Sequence, residues 1–457
     1  MKKILFISLA AILALSVGLM GCEGENGNGG PVIPPEPDAV VVGMSRDVNG
    51  FFEMAGFGPT YRTYFAEVNN VTGGILLDEY GPTFRVPIEV VRLDDADDPA
   101  VSASNIDLLI DVNEVDFLFG GCGTSHIFSQ APVANLRGYV LMTAEGGATE
   151  LKTALAGMPY VFVNLSFSDW YQIPVLAKIL AEAQEADEPG VNATAYISFI
   201  SEQHGTEYTQ VSNTYFPANN IEIVKTVGHP YYTPDFSDVI AEAKSMDVDI
   251  FCAYTYPWNV WPLTLEAIAQ DFNPKAFIGG PGANFGLYGD PPTSGLNMTE
   301  IEGVMSFTMA AYGAKAEIDA VYDKIAVTIE HEILPPHLWG LGIGMGFLDY
   351  WGHPCYWAGL EMWQAAVEEV GYVSQDGLKD ALIGKSESDP FDTILGDTWY
   401  TQFGAAGGGM LAYECHTGEI GQWIDQEFET IGYSGITSDL PRYIVTEAYN
   451  YPKPAFP

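Results

Sequence analysis

The stretch FLFGGCGTSHIFSQAP, Phe117 to Pro132, shows the unit from which this chain is built. Its apolar beginning predicts a buried strand, and the residues from Ser125 to Leu136 have the spacing of an amphipathic helix. The small residues from Gly120 to Gly123 join the two elements and let a ligand approach the backbone. Backbone N–H groups at the start of a helix attract anions, so the stretch predicts an anion-binding loop.

Apolar strands alternate with amphipathic helices from residue 39 to residue 279. The predicted strands are Ala39–Met44, Val86–Leu93, Phe117–Gly120, Tyr139–Met142, Tyr160–Asn164, Ala195–Ile200, Ile221–Val227, Ile250–Tyr254 and Ala276–Gly279. The predicted helices between them are Thr60–Asn69, Ala100–Asp111, Ser125–Leu136, Asp169–Glu182, Glu207–Tyr215, Phe236–Met246 and Trp258–Gln270. This order predicts an α/β fold with doubly wound parallel sheets, in which ligands bind beyond the carboxyl ends of the strands.

The pattern is less regular after Gly303. The predicted elements there are a strand, Val304–Thr308, and helices over Ala316–Ile329, Tyr356–Val370 and Asp376–Leu382. From Trp399 onward the chain is rich in aromatic residues, glycine and short strands.

The charge balance limits the possible partners. The chain has 457 residues and carries 18 Lys and Arg against 60 Asp and Glu, a formal net charge of −42. Phosphate binding needs a basic surface, so this balance excludes nucleic acid as a partner. It predicts a strongly hydrated surface, suited to salty surroundings where dissolved ions screen self-repulsion.

The first residues have the features of an export signal. Lys2 and Lys3 precede an apolar run, Ile4 to Leu19, that is short for a membrane-spanning helix and typical of a secretory signal. The following Leu19-Met20-Gly21-Cys22 resembles the lipobox of bacterial lipoproteins, which is cut before a cysteine that carries the lipid. We therefore expect residues 1–21 to be a signal peptide, residues 22–38 a flexible tether, and a lipid on Cys22 the sole membrane attachment, on the extracytoplasmic side. The alternative is an ordinary signal with an incidental cysteine.

Motifs of enzymes and metal sites are incomplete. The sequence has no P-loop and no G-x-S-x-G motif, and His331-Glu332 lacks the second histidine of a zincin helix. His331, Glu332, His337 and His353 could surround a metal ion, but a surface helix with incidental histidines is favoured. The sequence indicates neither catalysis nor a cofactor. Without C-x-x-C spacing, buried thiols are expected at Cys122, Cys252, Cys355 and Cys415.

Five motifs occur in the order found in a known family. They are VVGMSRDVNGFFEMAG with FAEVNNVTGGI, DDADDP, VDFLFGGCGTS, YVFVNLSFSDWYQIPVLAKIL, and CYWAGLEMWQAAVEEVGYVSQDGLKDAL. This order resembles the leucine/isoleucine/valine-type solute-binding proteins of ABC transporters, from about Ala39 to Leu382. The resemblance implies the type I periplasmic-binding-protein fold, with two lobes that close on a small-molecule ligand in the cleft between them. It also implies a monomer that delivers its ligand to a membrane permease and ATPase.

On this resemblance, lobe 1 comprises residues 39–158 and 285–398, lobe 2 comprises residues 159–284 and 399–430, and residues 431–457 form a C-terminal tail. Gly123, Thr124 and Ser125 would grip a ligand carboxylate, although Thr124 could instead only cap its helix. The other ligand-binding residues implied are Phe51, Phe52, Gly146, Gly147, Asp169, Trp170, His204, Tyr254 and Tyr256. For any one aromatic residue a core role is equally open. Arg46 could be a second anion contact, or could pair with Asp47 or Asp97.

The sequence departs from the family in the loop that binds the amine of the ligand. Amino-acid binders carry a glutamate in the loop that here reads Gly280-Pro281-Gly282-Ala283-Asn284. A buried ammonium group would lack its charge partner, so a classical α-amino acid is in doubt. An aromatic or branched carboxylate, or an amide, fits the remaining groups equally well. The rival hypothesis is a lipoprotein enzyme, or a sensory or structural surface protein, that reuses the fold with activity in the tail and the His331–His353 region.

Overall fold

The computed structural model describes residues 36–50, 53, 58–121, 123–143, 146, 148–164, 168, 172–308, 316–333, 335–340, 343–412, 415, 420–437, 440–445 and 449–457. The signal peptide and most of the tether therefore lie outside the described residues. So do seven residues singled out from the sequence: Cys22, Phe51, Phe52, Cys122, Gly147, Asp169 and Trp170.

Most strands lie where the sequence predicts them. In chain order they are β1 Val40–Arg46, β2 Ile75–Leu76, β3 Arg85–Val86, β4 Ile88–Asp94, β5 Phe117–Phe119, β6 Leu141–Thr143, β7 Val161–Val163, β8 Ala193–Ile200, β9 Ile221–His229, β10 Ile250–Tyr254, β11 Ala276–Gly280, β12 Met305–Phe307, β13 Phe391–Thr393, β14 Gly396–Thr398, β15 Tyr400–Gln402, β16 Gly409–Leu411, β17 Ile420–Ile424, β18 Glu427–Thr437 and β19 Leu440–Val445.

The helices also follow the predicted order. They are α1 Gly58–Glu67, α2 Pro99–Asp111, α3 Thr124–Arg137, α4 Leu151–Ala154, α5 Ile173–Asp187, α6 Gln203–Ala218, α7 Ser237–Ser245, α8 Pro257–Ala269, α9 Pro291–Ser294, α10 Ala316–Ile333, α11 Gly352–Val370 and α12 Gln375–Gly384. No helix among the described residues is both long enough and apolar enough to cross a membrane.

Two sheets form the centres of two lobes. The first has the strand order β15-β16-β7-β6-β5-β1-β4, and all its neighbours except β15 and β16 pair in parallel. The second has the order β19-β18-β17-β12-β11-β10-β8-β9. Its strands β12, β11, β10, β8 and β9 pair in parallel. The pairs β12–β17, β17–β18 and β18–β19 are antiparallel. Every residue of β5, β6, β7, β10 and β11 is buried, as expected for strands covered on both faces. The predicted α/β fold with two parallel-sheet lobes is confirmed.

Sheet membership corrects four of the predicted lobe boundaries. β7 pairs with β6 and β16, so residues 161–163 and 409–411 lie in the first lobe and not in the second. β12 pairs with β11 in the second sheet, although residues 305–307 were expected in the first lobe. β18 and β19 extend the second sheet through residue 445, in a segment expected to be a separate tail. Strand periodicity is local, whereas the sheet that a strand joins is decided by long-range pairing.

Candidate functional site

The predicted anion-binding loop follows β5, at the carboxyl edge of the first sheet. It is packed closely on its neighbours, since a Cβ atom at Gly120 would lie 2.8 Å from Thr143 Cγ2, and one at Gly121 2.8 Å from Ser45 O. Gln130 fixes the loop from α3, because Gly121 N donates to Gln130 Oε1 at 2.9 Å. Gly120 and Gly121 therefore lie in close packing at the sheet edge where parallel sheets bind ligands.

The start of α3 has no side-chain cap. The residue before the helix is Gly123, with φ of +91°, and Thr124 is the first helical residue. Thr124 therefore does not cap the helix, and that alternative is wrong. Its side chain is buried, yet within the described residues its hydroxyl group makes no hydrogen bond, and the Ser125 side chain is exposed. The arrangement leaves N–H and hydroxyl donors available to an anion.

The aspartates of the DDADDP motif have different roles. Asp94, Asp95 and Asp98 each accept hydrogen bonds from nearby backbone N–H groups, and Asp98 caps α2. Asp97 instead has a left-handed backbone with φ of +59° and a half-exposed side chain. His126 Nε2, in the first turn of α3, lies 3.8 Å from Asp97 Oδ1. The turn therefore presents the Asp97 carboxylate beside the candidate anion-binding loop.

Acidic side chains with raised pKa values lie in both lobes. Burial raises the pKa of Asp97, and the charges of Asp47 and Asp95 raise it further. Burial also raises the pKa of Glu202, which follows β8 in the second lobe, and the charge of Asp97 adds to that shift. Burial and the charges of Asp97 and Asp47 raise the pKa of Tyr232, again from the second lobe. The pKa values of Asp97 and Glu202 are thus both raised, mainly by burial.

An aromatic wall lines the second-lobe side. The ring of His204 stacks on Tyr256 at 5.3 Å between ring centroids and 11° between planes, and Tyr256 donates a hydrogen bond to Glu202. Tyr256 also packs on Trp258 at 4.9 Å and on Tyr231 at 5.9 Å. The structure thus brings His204 and Tyr256 together as the sequence suggested, and their contact with a ligand stays a prediction.

Burial keeps His204 neutral. The side chain is 3% exposed, and this burial lowers the pKa of His204 to about 3. Its Nε2 is buried and has no hydrogen-bond partner within the described part of the chain. A buried nitrogen without a partner is costly, so a ligand that bonds to it would gain affinity.

Two other predicted residues have packing roles. Tyr254 is completely buried, and its hydroxyl group lies 2.8 Å from Ser212 Oγ under α6. Because its side chain points towards α6, Tyr254 belongs to the core of the second lobe. A core role was the alternative to ligand contact that the sequence left open for this residue. Gly146 is also buried, and a Cβ atom there would lie 2.5 Å from Ile127 Cδ1, so this loop lies directly on α3. A backbone contact from Gly146 to the ligand stays a prediction.

Arg46 is engaged by a buried carboxylate. Its Nε donates to Glu53 Oε2 at 2.8 Å, and its Nη1 donates to Gly120 O at 3.2 Å. Glu53, which is 3% exposed, also accepts from Tyr61 at 2.6 Å, from Arg62 at 2.6 Å and from Arg92 at 2.8 Å. Burial alone would raise the pKa of Glu53, but the arginines and the tyrosine hold it below its usual value. Among the described residues Arg46 therefore pairs with Glu53, and with neither Asp47 nor Asp97.

Three of the four candidate metal ligands make other contacts. His331 packs on Trp339 at 4.3 Å, and Glu332 pairs with Arg62 at 2.8 Å. His353 is completely buried, with Nδ1 2.6 Å from Thr60 Oγ1. Among the described residues no group of three or more His, Cys, Asp or Glu side chains could hold a metal ion. Buried thiols occur as predicted at Cys252, Cys355 and Cys415.

The profile of the periplasmic binding protein family matches residues 39–419. The chain belongs to the periplasmic binding protein family. No curated protein matches the sequence. The predicted resemblance to the leucine/isoleucine/valine-type binding proteins is confirmed by this match and by solved structures of the same fold.

Three solved structures illustrate the relation of this binding protein to the family. The branched-chain amino acid transporter substrate-binding protein LivJ from Streptococcus pneumoniae, in complex with isoleucine, is 15% identical, with a TM-score of 0.65 over 91% of this chain and 100% of that one. A solute-binding protein of an ABC transporter from R. palustris, in complex with benzoate, is 16% identical, with a TM-score of 0.65 over 90% and 99%. The leucine-binding protein LivK from Thermotoga maritima is 14% identical, with a TM-score of 0.63 over 86% and 97%.

Several residues of the site were not singled out from the sequence as ligand contacts. Asp97 lies within a motif that was recognised only as a family feature, and Glu202 lies two residues before His204. A carboxylate directly after a parallel strand is a signal that could have identified Glu202. No local sequence pattern indicated that Glu53 forms a buried ion cluster, because its three arginine partners come from three different elements.

Proposed function

We propose that this chain is the solute-binding protein of an ABC importer. It binds a small carboxylate-bearing solute (an amino acid, an amide, or an aromatic or branched acid) in the cleft, and delivers it to a membrane permease. It performs no catalysis itself. The family match supports this proposal, and so do the ligands named for similar structures, since isoleucine, benzoate and 4-hydroxybenzoate all carry a carboxylate.

The uncapped start of α3 carries the proposal. Gly123 leaves the first helical N–H groups without a side-chain acceptor, and the buried Thr124 hydroxyl is available beside them. Together they form a compact nest of donors, in which a carboxylate would be held by charge-assisted hydrogen bonds. Unlike a nucleotide phosphate site, this arrangement needs no lysine.

Binding would bring the lobes together. Contacts between them already exist at one side of the cleft, where Thr149 Oγ1 lies 3.2 Å from Ser168 Oγ, and Glu150 N donates to Glu207 Oε1 at 3.1 Å. Glu207 belongs to α6 of the second lobe, whereas Glu150 precedes α4 in the first. Such contacts can form and break as two lobes rotate about the strands that connect them.

The site of action would be the outer face of a membrane. The family is one of exported proteins, and the Leu19-Met20-Gly21-Cys22 sequence supports a lipid on Cys22 followed by a tether. The lipid would hold the protein near its permease without any contribution from a membrane-spanning helix.

Calorimetric titration of the purified protein with isoleucine, benzoate and isobutyramide tests the assignment. We expect at least one carboxylate to bind and to raise the melting temperature by mass action. Tighter binding of the neutral amide than of every carboxylate would select the amide among the proposed solutes and contradict a carboxylate site at the start of α3. Absence of binding by a wide panel of small acids would contradict solute binding altogether.

A further inference from the structure

The segment that joins α10 to α11 leaves the first lobe and returns to it. In α10, Thr328 accepts a hydrogen bond from the Thr63 hydroxyl group of α1 at 2.7 Å. In α11, Gln364 accepts one from the Tyr64 hydroxyl group of α1 at 2.6 Å. Both helices therefore pack in the first lobe, whereas the chain between them reaches the second. We call residues 344–351 of this segment the strap.

The strap pairs with the loop that follows β11 in the second sheet. Tyr350 N donates to Asn284 O at 3.0 Å. Gly286 N donates to Leu348 O at 2.9 Å. The two residues between these bonds stand opposite each other in an antiparallel bridge. The strap thus adds a short piece of strand to the second lobe, in which backbone donors and acceptors satisfy one another.

Side chains reinforce this pairing away from water. Asn284 Nδ2 donates to Asp349 Oδ1 at 2.9 Å, and the same oxygen accepts from Trp351 N at 2.8 Å. The side chains of Asn284 and Asp349 are 0% and 2% exposed. Water does not compete for such bonds, and their separation would leave buried polar groups unpaired. The strap is therefore costly to remove from the second lobe.

The other end of the strap is fixed to the first lobe. Glu330 of α10 is 4% exposed and accepts from Gly344 N at 3.2 Å and from Gly340 N at 2.8 Å. A Cβ atom at Gly344 would lie 2.0 Å from Ala326 O, so the strap begins directly on this helix. It is thus held by both lobes.

The strap also contacts elements next to the points where the chain passes between the lobes. Thr308, at the end of β12 and before α10, donates from its hydroxyl group to Tyr350 O at 2.5 Å. The Tyr350 ring packs on Trp423 of β17 at 6.0 Å and on Phe428 of β18 at 5.4 Å. It also packs on Tyr322 of α10 at 5.5 Å. A contact close to the chain crossings moves little when two lobes rotate about them.

We propose that the strap joins the lobes in both the open and the closed state, and that it fixes the axis about which they rotate. Asp349 is then a positioning residue, which acts on the opening of the cleft through Asn284 and not through contact with a solute. The cleft opens at contacts such as that between Glu150 and Glu207. This inference goes beyond the proposed function, because it does not depend on which solute is bound.

Hydrogen exchange in the native, solute-free protein tests the proposal. Glu150 N, whose acceptor is Glu207 Oε1 at 3.1 Å, is the matched control for a contact that breaks when the lobes separate. The amides of Gly286 and Tyr350 should exchange at least about 100-fold more slowly than this control, because two buried hydrogen bonds hold them. Their exchange should also depend on denaturant as steeply as global unfolding does. Equal rates at the three amides, or the shallow dependence of local opening, would overturn the proposal.

A substitution separates the strap from general stability. Asp349→Ala should accelerate exchange at Gly286 and Tyr350 at least about tenfold and enlarge the radius of gyration of the solute-free protein. Asp349→Asn keeps the accepting oxygen and should restore both values. Asp116→Ala is the control, because that carboxylate accepts from Val41 N at 2.7 Å within the first lobe. It should lower the melting temperature and change neither value. A folded Asp349→Ala variant with wild-type exchange and radius would contradict the role of the strap.

A disulfide supplies a test that needs no loss of contacts by Asn284. Residues directly opposed in an antiparallel pair are close enough for a disulfide, so Phe285→Cys/Asp349→Cys locks the strap to the second lobe when oxidised. The oxidised and reduced forms should give the same small-angle scattering profile. A smaller radius of gyration after oxidation would show that the strap detaches in solution, and would overturn the proposal. These measurements require no solute, so they are independent of the proposed function.

Discussion

Replacing Thr124 with Val and Ser125 with Ala removes two hydroxyl groups at the start of α3 and leaves the backbone N–H groups in place. A hydrogen bond to a charged group contributes about 1.5–3 kcal/mol. The buried Thr124 hydroxyl should contribute within that range, and the exposed Ser125 hydroxyl less, because water competes for it. The double variant should therefore bind its carboxylate about 10- to 100-fold more weakly.

Stability should change little, because Gly123, and not Thr124, occupies the cap position. Val keeps the volume of Thr at this buried site, so no cavity forms. Calorimetric titration gives the affinity, and a melting curve on the same sample gives the stability. Ser129→Ala is the matched control, because that hydroxyl group lies on the same helix and donates to His126 O at 2.9 Å.

The control should retain wild-type affinity. Unchanged affinity in a folded Thr124→Val/Ser125→Ala variant would refute the carboxylate site, whatever its melting temperature. In that case the loop would be the start of a helix and nothing more.

Three further predictions concern the anchor, the core and the motion of the lobes. Cys22→Ser should abolish lipidation and move the protein from the membrane to the soluble fraction, and retention on membranes after a carbonate wash would contradict the lipoprotein assignment. Glu53→Gln should cost about 3–5 kcal/mol in chemical unfolding, because it leaves buried arginine charge uncompensated, whereas Glu332→Gln at the exposed end of Arg62 should cost less than ~1 kcal/mol. The pKa of Glu53 is lower in the folded state than in the unfolded state, so ionised Glu53 stabilises the fold above its unfolded pKa of about 4.3. This stabilisation is lost as the pH falls through the pKa of the folded state. The free energy of unfolding should therefore depend less steeply on pH in this range in Glu53→Gln. Small-angle scattering should show a smaller radius of gyration with a bound ligand, and an identical profile with a tight ligand would argue against a closing cleft.

The sequence was sufficient for the elements and the fold class. Strands such as Val40–Arg46 and Ile250–Tyr254 are short apolar runs, and helices such as Pro99–Asp111 begin at a recognisable cap, Asp98 followed by a proline. These signals are local, because periodicity and capping involve neighbours along the chain. The position of the candidate anion-binding loop between β5 and α3 followed from the same reasoning, since it required only a strand, small residues and a helix start.

The partners of individual side chains could not be obtained in this way. Arg46 was expected to meet a ligand or a nearby aspartate, yet it pairs with Glu53, and Tyr254 packs under α6 and not in the cleft. Strands β7 and β12 likewise joined sheets other than those expected. Arg62 and Arg92, which also pair with Glu53, belong to two further elements that only the tertiary structure brings together. Burial and long-range pairing depend on the packing of the whole chain, so tertiary structure alone decided which charges are neutralised.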